Sequence, residues 1–128
     1  MWKLNNYRNY MREIKFRAWD KDNKKFIYCR LDKNEYELSG IKENESLSKY
    51  NIEDWQQYTG LKDKNGVEIY EGDILSGDYP DEVFWEENRG QWMLRNSENP
   101  NDTLWEILSG GEAEVIGNIY ENKELLNK

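Results

Sequence analysis

The first clear pattern along the chain covers residues 12–19, where apolar and charged residues alternate. A period of two is typical of a strand with one buried face. Residues 20–24 then have the composition of a turn, and residues 26–31 are interpreted as a returning strand. The pattern therefore predicts a β-hairpin whose first strand places Ile14, Phe16 and Ala18 on one face and Lys15 and Arg17 on the other.

A second hairpin is predicted around Asn65 and Gly66. Asn-Gly between two β-prone runs is a strong hairpin signal, because both residues tolerate positive φ. Gly72 lies between two strand-like runs, as where a chain turns a barrel corner, and Gly117 in the last strand suggests a bulge or a close backbone approach. We assign Asn65, Gly66, Gly72 and Gly117 to architecture rather than to chemistry.

The rest of the chain is interpreted as short strands separated by turns. A third hairpin is predicted from residues 81–85 and 91–94. Thr103 and Glu106 have the spacing of a capping box for a short helix over 104–109, and the same residues also alternate well enough for a strand. The remaining elements are a strand over 113–120, a helical turn over 123–126, and a long surface excursion over 32–54 with one short strand or helical turn.

Many short strands punctuated by turns are typical of a small β barrel or sandwich. The chain of 128 residues has room for one domain. Only 37% of its residues are hydrophobic, but six Trp, nine Tyr and three Phe are available for a core. We therefore predict a mostly β domain built from hairpins, with long loops and one or two short helical turns.

Composition argues against several functional classes. No run of apolar residues is long enough to cross a membrane, and the first residues do not resemble a signal peptide. Cys29 is the single cysteine and there is no histidine, so an internal disulfide, a common zinc ligand and the commonest general base are all missing. We expect a cytoplasmic protein that is not an enzyme and that has no cofactor and no metal.

The charge is distributed unevenly along the chain. The net charge is −8, but residues 1–30 contain nine Lys and Arg against three acids, whereas the remainder contains nine against twenty-three. One interpretation is pairing of the basic strands with acidic neighbours inside the domain. The other is a bipolar molecule whose basic end contacts a second copy or a partner protein.

Three blocks of sequence carry a family resemblance: MREIKFRAWD at 11–20, QYTGLKDKNGVEIYEGDIL at 57–75 and EVIGNIYEN at 114–122. Together they resemble the YopX family, small proteins encoded by bacteriophages and prophages. The resemblance implies a small barrel of the Src-homology-3 type, and it implies no established activity, cofactor or catalytic residue. Residues 1–10 are interpreted as an extension outside the family pattern, and residues 11–128 as one YopX-like β domain.

The first functional hypothesis is a phage or prophage accessory protein that acts by protein–protein contact, as a homo-oligomer or on a host or phage protein. Its candidate contact residues are the basic Arg12, Lys15 and Arg17, and the aromatic Trp85 and Trp92 among acidic neighbours. An alternative location for the two tryptophans is a pair inside the barrel.

Two other hypotheses remain open from the sequence. A small barrel could bind single-stranded nucleic acid through its basic N-terminal strands, which contain Trp19 and Tyr28 beside the cations; overall acidity disfavours this. Carboxylates around 63–73 and 78–87 could hold a metal for hydrolysis, although a solvated acidic rim is the ordinary role of such residues.

Overall fold

The computed structural model describes residues 13–32, 35–96 and 102–127, which form two antiparallel sheets of five strands each. The strands of the first sheet lie in the order β3-β2-β1-β4-β5. Their bounds are β1 Ile14–Asp20, β2 Lys25–Asp32, β3 Glu35–Ser39, β4 Gln56–Lys62 and β5 Glu68–Tyr70.

The second sheet follows in the chain and has the strand order β10-β6-β7-β8-β9. Within the described residues, the α-helix α1 (Leu104–Ser109) packs near the β8–β9 end of this sheet, and 3-10 helices cover Leu47–Lys49 and Lys123–Asn127. The strands are β6 Asp73–Leu75, β7 Asp81–Glu86, β8 Gln91–Arg95, β9 Asp102–Thr103 and β10 Val115–Asn118.

The first hairpin follows the predicted alternation. Phe16 pairs with Cys29 and Ala18 with Ile27, and residues paired across antiparallel strands share a face. The excursion that follows contains the short strand that the sequence allowed, since β3 continues the sheet and places Leu38 opposite Cys29. It also contains the 3-10 helix Leu47–Lys49. One face of β1, β2 and β3 is therefore continuously apolar.

The predicted mostly β architecture is confirmed, but the closed Src-homology-3-type barrel is not. Within the described residues, no strand of one sheet pairs with a strand of the other. The chain passes between the sheets at Gly72, whose φ is 85° and whose N–H donates to the carbonyl of Val83. That tight turn sends β6 into a new sheet, so the strands form two open sheets.

The main core contains residues of the second sheet and of α1 together with Ile69 of β5 in the first sheet. Thr103 caps the helix, because its side-chain oxygen accepts a hydrogen bond from the Glu106 N–H at 3.2 Å, as the capping-box pattern predicted. The buried cluster contains Ile69, Leu75, Val83, Leu94, Leu104 and Ala113.

Candidate functional site: an apolar groove on the first sheet

Arg17, predicted as a surface contact residue, is buried with only 5% of its surface exposed. Its Nη2 donates to Asp73 Oδ1 at 2.7 Å and its Nε donates to Gln56 Oε1 at 2.8 Å. The guanidinium lies over the rings of Phe26 and Tyr70, at 4.1 and 4.8 Å from their centroids. Arg17 is therefore buried and not on the surface as predicted, and its guanidinium binds groups inside the protein.

Lys15, the other predicted cation within the described residues, is paired as well. Lys15 Nζ lies 2.9 Å from Glu13 Oε2 and 2.5 Å from Glu68 Oε2. Burial by itself would lower the pKa of Lys15, but the two carboxylates outweigh it and raise that pKa well above its usual range. Arg12 lies outside the described residues.

The two rings that the nucleic-acid hypothesis proposed for stacking on bases, Trp19 and Tyr28, contact other rings of the protein. Trp19 is only 8% exposed, and its ring stacks on Tyr120 with centroids 5.7 Å apart. Tyr28 is 38% exposed, but its ring contacts Phe26 and Tyr70 edge-on or at a tilt. The rings that were expected to receive bases are therefore packed mainly against other rings of the protein.

Trp85 and Trp92 face each other across β7 and β8, with ring centroids 5.0 Å apart and an interplanar angle of 67°. Trp92 packs against the main core, whereas Trp85 is 43% exposed. The pair is thus anchored to the core on one side, and only Trp85 offers substantial surface.

Two carboxylates of the predicted acidic cluster, Asp63 and Asp73, accept separate sets of hydrogen bonds within the fold. Asp63 accepts hydrogen bonds from the backbone N–H groups of Asn65, Val67 and Val115 at 2.8–2.9 Å. Asp73 accepts from Tyr70 N–H at 2.7 Å in addition to Arg17. In the part of the chain that the structure describes, no three His, Cys, Asp or Glu residues are grouped so that they could hold a metal ion.

The four predicted turn residues have the following environments. Gly66 has a φ of 81° at the tip of the β4–β5 hairpin, beside Asn65, whose N–H is bound by Asp63. A Cβ on Gly72 would overlap the side-chain amide of Gln56, and one on Gly117 would overlap the side chain of Asn122. The register of β10 against β6 also shifts between Val115 and Gly117, as in a bulge.

A groove of about 590 Å³ lies over the apolar face of β1, β2 and β3. That volume falls within the range of roughly 300–1,000 Å³ that ligand sites occupy. Its polar lining residues are Glu45 and Ser46. The others are Phe16, Cys29, Leu31, Tyr36, Leu38, Ile41, Leu47 and Trp55.

A fold-back of the chain after β3 builds the outer wall of this groove. Gly40 has a φ of 92°, and a Cβ there would lie 2.9 Å from the Phe26 carbonyl oxygen, so the chain can turn tightly over the sheet only with glycine. The loop is then closed by Tyr50, whose hydroxyl donates to Glu45 Oε2 at 2.6 Å and accepts from the Lys42 N–H. The hydrogen bond to Glu45 raises the pKa of Tyr50.

The rim of the groove exposes large apolar side chains. Leu31, Tyr36 and Trp55 are 46%, 70% and 37% exposed. Ile14, which pairs with Leu31 across β1 and β2, is 40% exposed. Scattered single apolar residues on a surface are ordinary, whereas larger exposed apolar patches are typical of interaction sites and ligand-binding grooves.

The groove was not predictable from the pattern of the sequence. The segment that supplies most of its outer wall, residues 35–55, is rich in polar residues, and its apolar positions are widely spaced. The available signal in the sequence was the alternation of the apolar residues Tyr36 and Leu38 with Glu35 and Glu37.

Cys29 lies in the wall of the groove as a free thiol. Burial raises its pKa above the ordinary value of 9.0. Because the thiolate is the nucleophilic form, the thiol is less reactive here than in water. Cys29 therefore contributes apolar surface to the groove rather than chemistry.

No helix among the described residues is both long and apolar enough to span a membrane. The fold and the site define a small protein of two antiparallel sheets with an apolar recess on the outer face of one of them.

Comparison with known proteins now places the chain in a family. The model of the family described as YopX protein matches residues 15–127, so the chain belongs to the YopX family, as the three sequence blocks predicted. Among solved structures, it is similar to protein EF1440 from Enterococcus faecalis, with 28% identity and a TM-score of 0.59 over 88% of this chain and 97% of that one. No curated protein matches the chain.

Proposed function

We propose that this protein is a non-enzymatic accessory protein of a phage or prophage, that it acts in the cytoplasm of the host by contact with another protein, and that the apolar groove is the contact site. The observation that carries the proposal is the recess of about 590 Å³ with exposed Leu31, Tyr36 and Trp55 at its rim. An apolar recess with large side chains around it provides the anchors that dominate binding energy in protein interfaces.

The charges near the groove favour a protein partner over nucleic acid. Residues 41–55, which fold back over the sheet, contain four Asp and Glu against two Lys, so this wall is acidic. Phosphate backbones bind where Lys and Arg are in local excess. Lys15 and Arg30, on the other face of the same sheet, are already paired with glutamates.

Co-purification from host cells tests the proposal. The tagged full chain is compared with a double variant, Leu31→Ser and Trp55→Ser, and with the matched control Trp105→Ser, which removes a 69% exposed tryptophan from α1. We expect a specific protein to accompany the wild type and the control and to be lost from the groove variant.

A second measurement locates the contact. Cys29 lines the groove, so a bound partner slows the reaction of this thiol with a disulfide reagent. A partner that is retained equally by the groove variant, or that leaves the Cys29 rate unchanged, would place the contact elsewhere and defeat the proposal.

A further inference from the structure

The strand next to the groove is an outer strand. β3 stands at the end of the first sheet, and among the described strands only β2 pairs with it. An outer edge presents a row of backbone N–H and C=O groups that another strand can pair with. The apolar groove and this edge adjoin, because Tyr36 and Leu38 of β3 line the groove.

The two faces of β3 differ in chemistry. Successive side chains of a strand point to opposite faces, so Glu35 and Glu37 alternate with Tyr36 and Leu38 and lie on the face away from the groove. The side chain of Glu37 is 73% exposed. A strand added beside β3 would therefore meet an apolar surface on one face and carboxylates on the other.

We propose that the groove and the edge of β3 together bind an extended segment of a partner protein, which adds to the sheet as a sixth strand and alternates apolar with basic side chains. Its apolar side chains enter the groove, and its Lys or Arg side chains lie beside Glu35 and Glu37. The inference rests on the proposed function and specifies the partner. Strand addition of this kind derives affinity from backbone hydrogen bonds and specificity from alternate side chains.

The charges of β3 favour a basic partner segment at this edge over a second copy of the chain. Two β3 edges paired with each other would place Glu35 and Glu37 of one copy near the same residues of the other, and like charges opposite each other destabilise a strand pair. The net negative charge of residues 35–55, with six Asp and Glu against two Lys, reinforces the preference, since it attracts a basic segment. The exposed Arg30–Glu37 ion pair, at 3.2 Å, is of the kind that contributes little and rearranges easily.

The probe is a capped seven-residue peptide in which Lys and Val alternate, titrated against the full chain. We expect saturable binding that weakens as salt rises, because exposed charges are screened over about 8–10 Å near physiological ionic strength. The same peptide with Glu in place of Lys should bind at least tenfold more weakly. If the Lys–Val peptide shows no saturable binding, the proposal of strand addition is wrong. The co-purification experiment then still tests whether the groove is a protein contact site.

Charge reversal on the edge provides a reciprocal test. In the double variant Glu35→Lys and Glu37→Lys, we expect the Lys–Val peptide to lose at least tenfold in affinity and the Glu–Val peptide to gain. The matched control, Glu86→Lys and Glu87→Lys, reverses two charges at the β7–β8 turn and should change neither affinity. An unchanged preference in the edge variant contradicts the proposal.

Backbone pairing is tested on the peptide itself, so that the fold of the protein is not disturbed. N-methylation of alternate residues blocks one edge of an extended peptide. We expect one of the two alternate sets to reduce affinity at least tenfold and the other to be tolerated. If both sets are tolerated while Trp55→Ser still weakens binding, strand addition fails and the groove remains a binding site; if Trp55→Ser has no effect either, the groove fails as well.

Discussion

The guanidinium of Arg17 and the carboxylate of Asp73 form a buried ion pair, with Nη2 and Oδ1 2.7 Å apart. Arg17 belongs to β1 in the first sheet and Asp73 to β6 in the second, so the pair joins the two sheets. Their side chains are 6% and 3% exposed. Gln56 and the Tyr70 N–H occupy further hydrogen-bonding positions of the two groups.

Removal of one partner should therefore be costly. Asp73→Ala leaves the Arg17 charge buried without its counter-ion, and we expect a loss of about 3–5 kcal/mol in the free energy of unfolding. Urea denaturation followed by circular dichroism measures this. Glu82→Ala is the control, because it breaks an ion pair with the half-exposed Arg95 and should cost under about 1 kcal/mol. Equal, small costs would show that the buried pair does not hold the sheets together.

Two glycines with nearly the same φ allow backbone strain to be separated from crowding. Gly66 has a φ of 81° with open space around an added Cβ, so Gly66→Ala should cost about 1–2 kcal/mol from left-handed strain alone. Gly72 has a φ of 85°, but its Cβ would also displace the Gln56 amide that binds Arg17. Overpacking adds roughly 1–3 kcal/mol, so Gly72→Ala should be clearly the more destabilised variant in the same urea assay. Equal losses of unfolding free energy in the two variants would show that crowding against Gln56 does not matter at Gly72.

Local patterns predicted much of the secondary structure. Alternation located the β1–β2 hairpin, Asn65-Gly66 located the β4–β5 turn, and Thr103 with Glu106 located the start of α1. Each of these features depends on neighbours within a few residues. The closure of the sheets depends instead on the turn at Gly72 and on distant pairings, so the strand pattern alone could not distinguish a barrel from two open sheets.

The candidate site was harder to predict for a related reason. Alternation placed Arg17 on the charged face of β1, but it could not indicate that Phe26, Tyr70 and the second sheet would cover that face. Likewise, Tyr36 and Leu38 acquire a role only because the segment after Gly40 folds back over them. Both outcomes are tertiary, and neither leaves a local sequence pattern.

The three sequence blocks that carry the family resemblance meet in space. Arg17 of the first block binds Asp73 of the second, and Trp19 of the first stacks on Tyr120 of the third. Asp63 of the second block accepts from the backbone N–H of Val115 in the third at 2.8 Å. The residues that carry the resemblance are therefore ones that hold the fold together. Most of the outer wall of the groove is formed instead by residues between the first two blocks.

Asp63 should make the protein sensitive to acid. Burial opposes ionisation of this carboxyl, but hydrogen bonds from three backbone N–H groups outweigh it and lower its pKa below the ordinary 3.8. A carboxyl with a lowered folded-state pKa stabilises the fold above its unfolded-state pKa, and this contribution is lost as pH falls through the folded-state value. We expect Asp63→Asn to lose about 1–3 kcal/mol at neutral pH and to show a smaller further loss in acid.

Unfolding free energies measured from about pH 2 to pH 7 check this. Burial raises the pKa of Asp81, so protonation of Asp81 in acid favours the folded state and opposes the effect of Asp63. The effect of Asp63 is therefore measured as the difference in unfolding free energy between the wild type and Asp63→Asn at each pH. Asp78→Asn, at an exposed loop position, is the control and should follow the wild-type curve. A parallel displacement of the Asp63→Asn curve at all pH values would refute an ionisation effect.

Residues 1–10, predicted to be an extension, lie outside the described residues. The buried residues of the described part of the chain fall between Arg17 and Asn118. We therefore expect a chain that starts at Met11 to unfold cooperatively, with a midpoint close to that of the full chain. Loss of cooperative unfolding would instead assign Trp2 and Tyr7 to the core.

The reactivity of Cys29 should report the state of the groove. Burial raises the pKa of this thiol above its ordinary value, so its reaction with a disulfide reagent should accelerate at higher pH than in the urea-unfolded chain. Leu38→Ala opens the wall beside Cys29, to which Leu38 is paired, and should speed the native reaction several-fold. Trp85→Ala removes an exposed ring from the other sheet and serves as the control with an unchanged rate. If Leu38→Ala and Trp85→Ala react alike, the groove wall does not control access to Cys29, and the thiol loses its value as a reporter of partner binding.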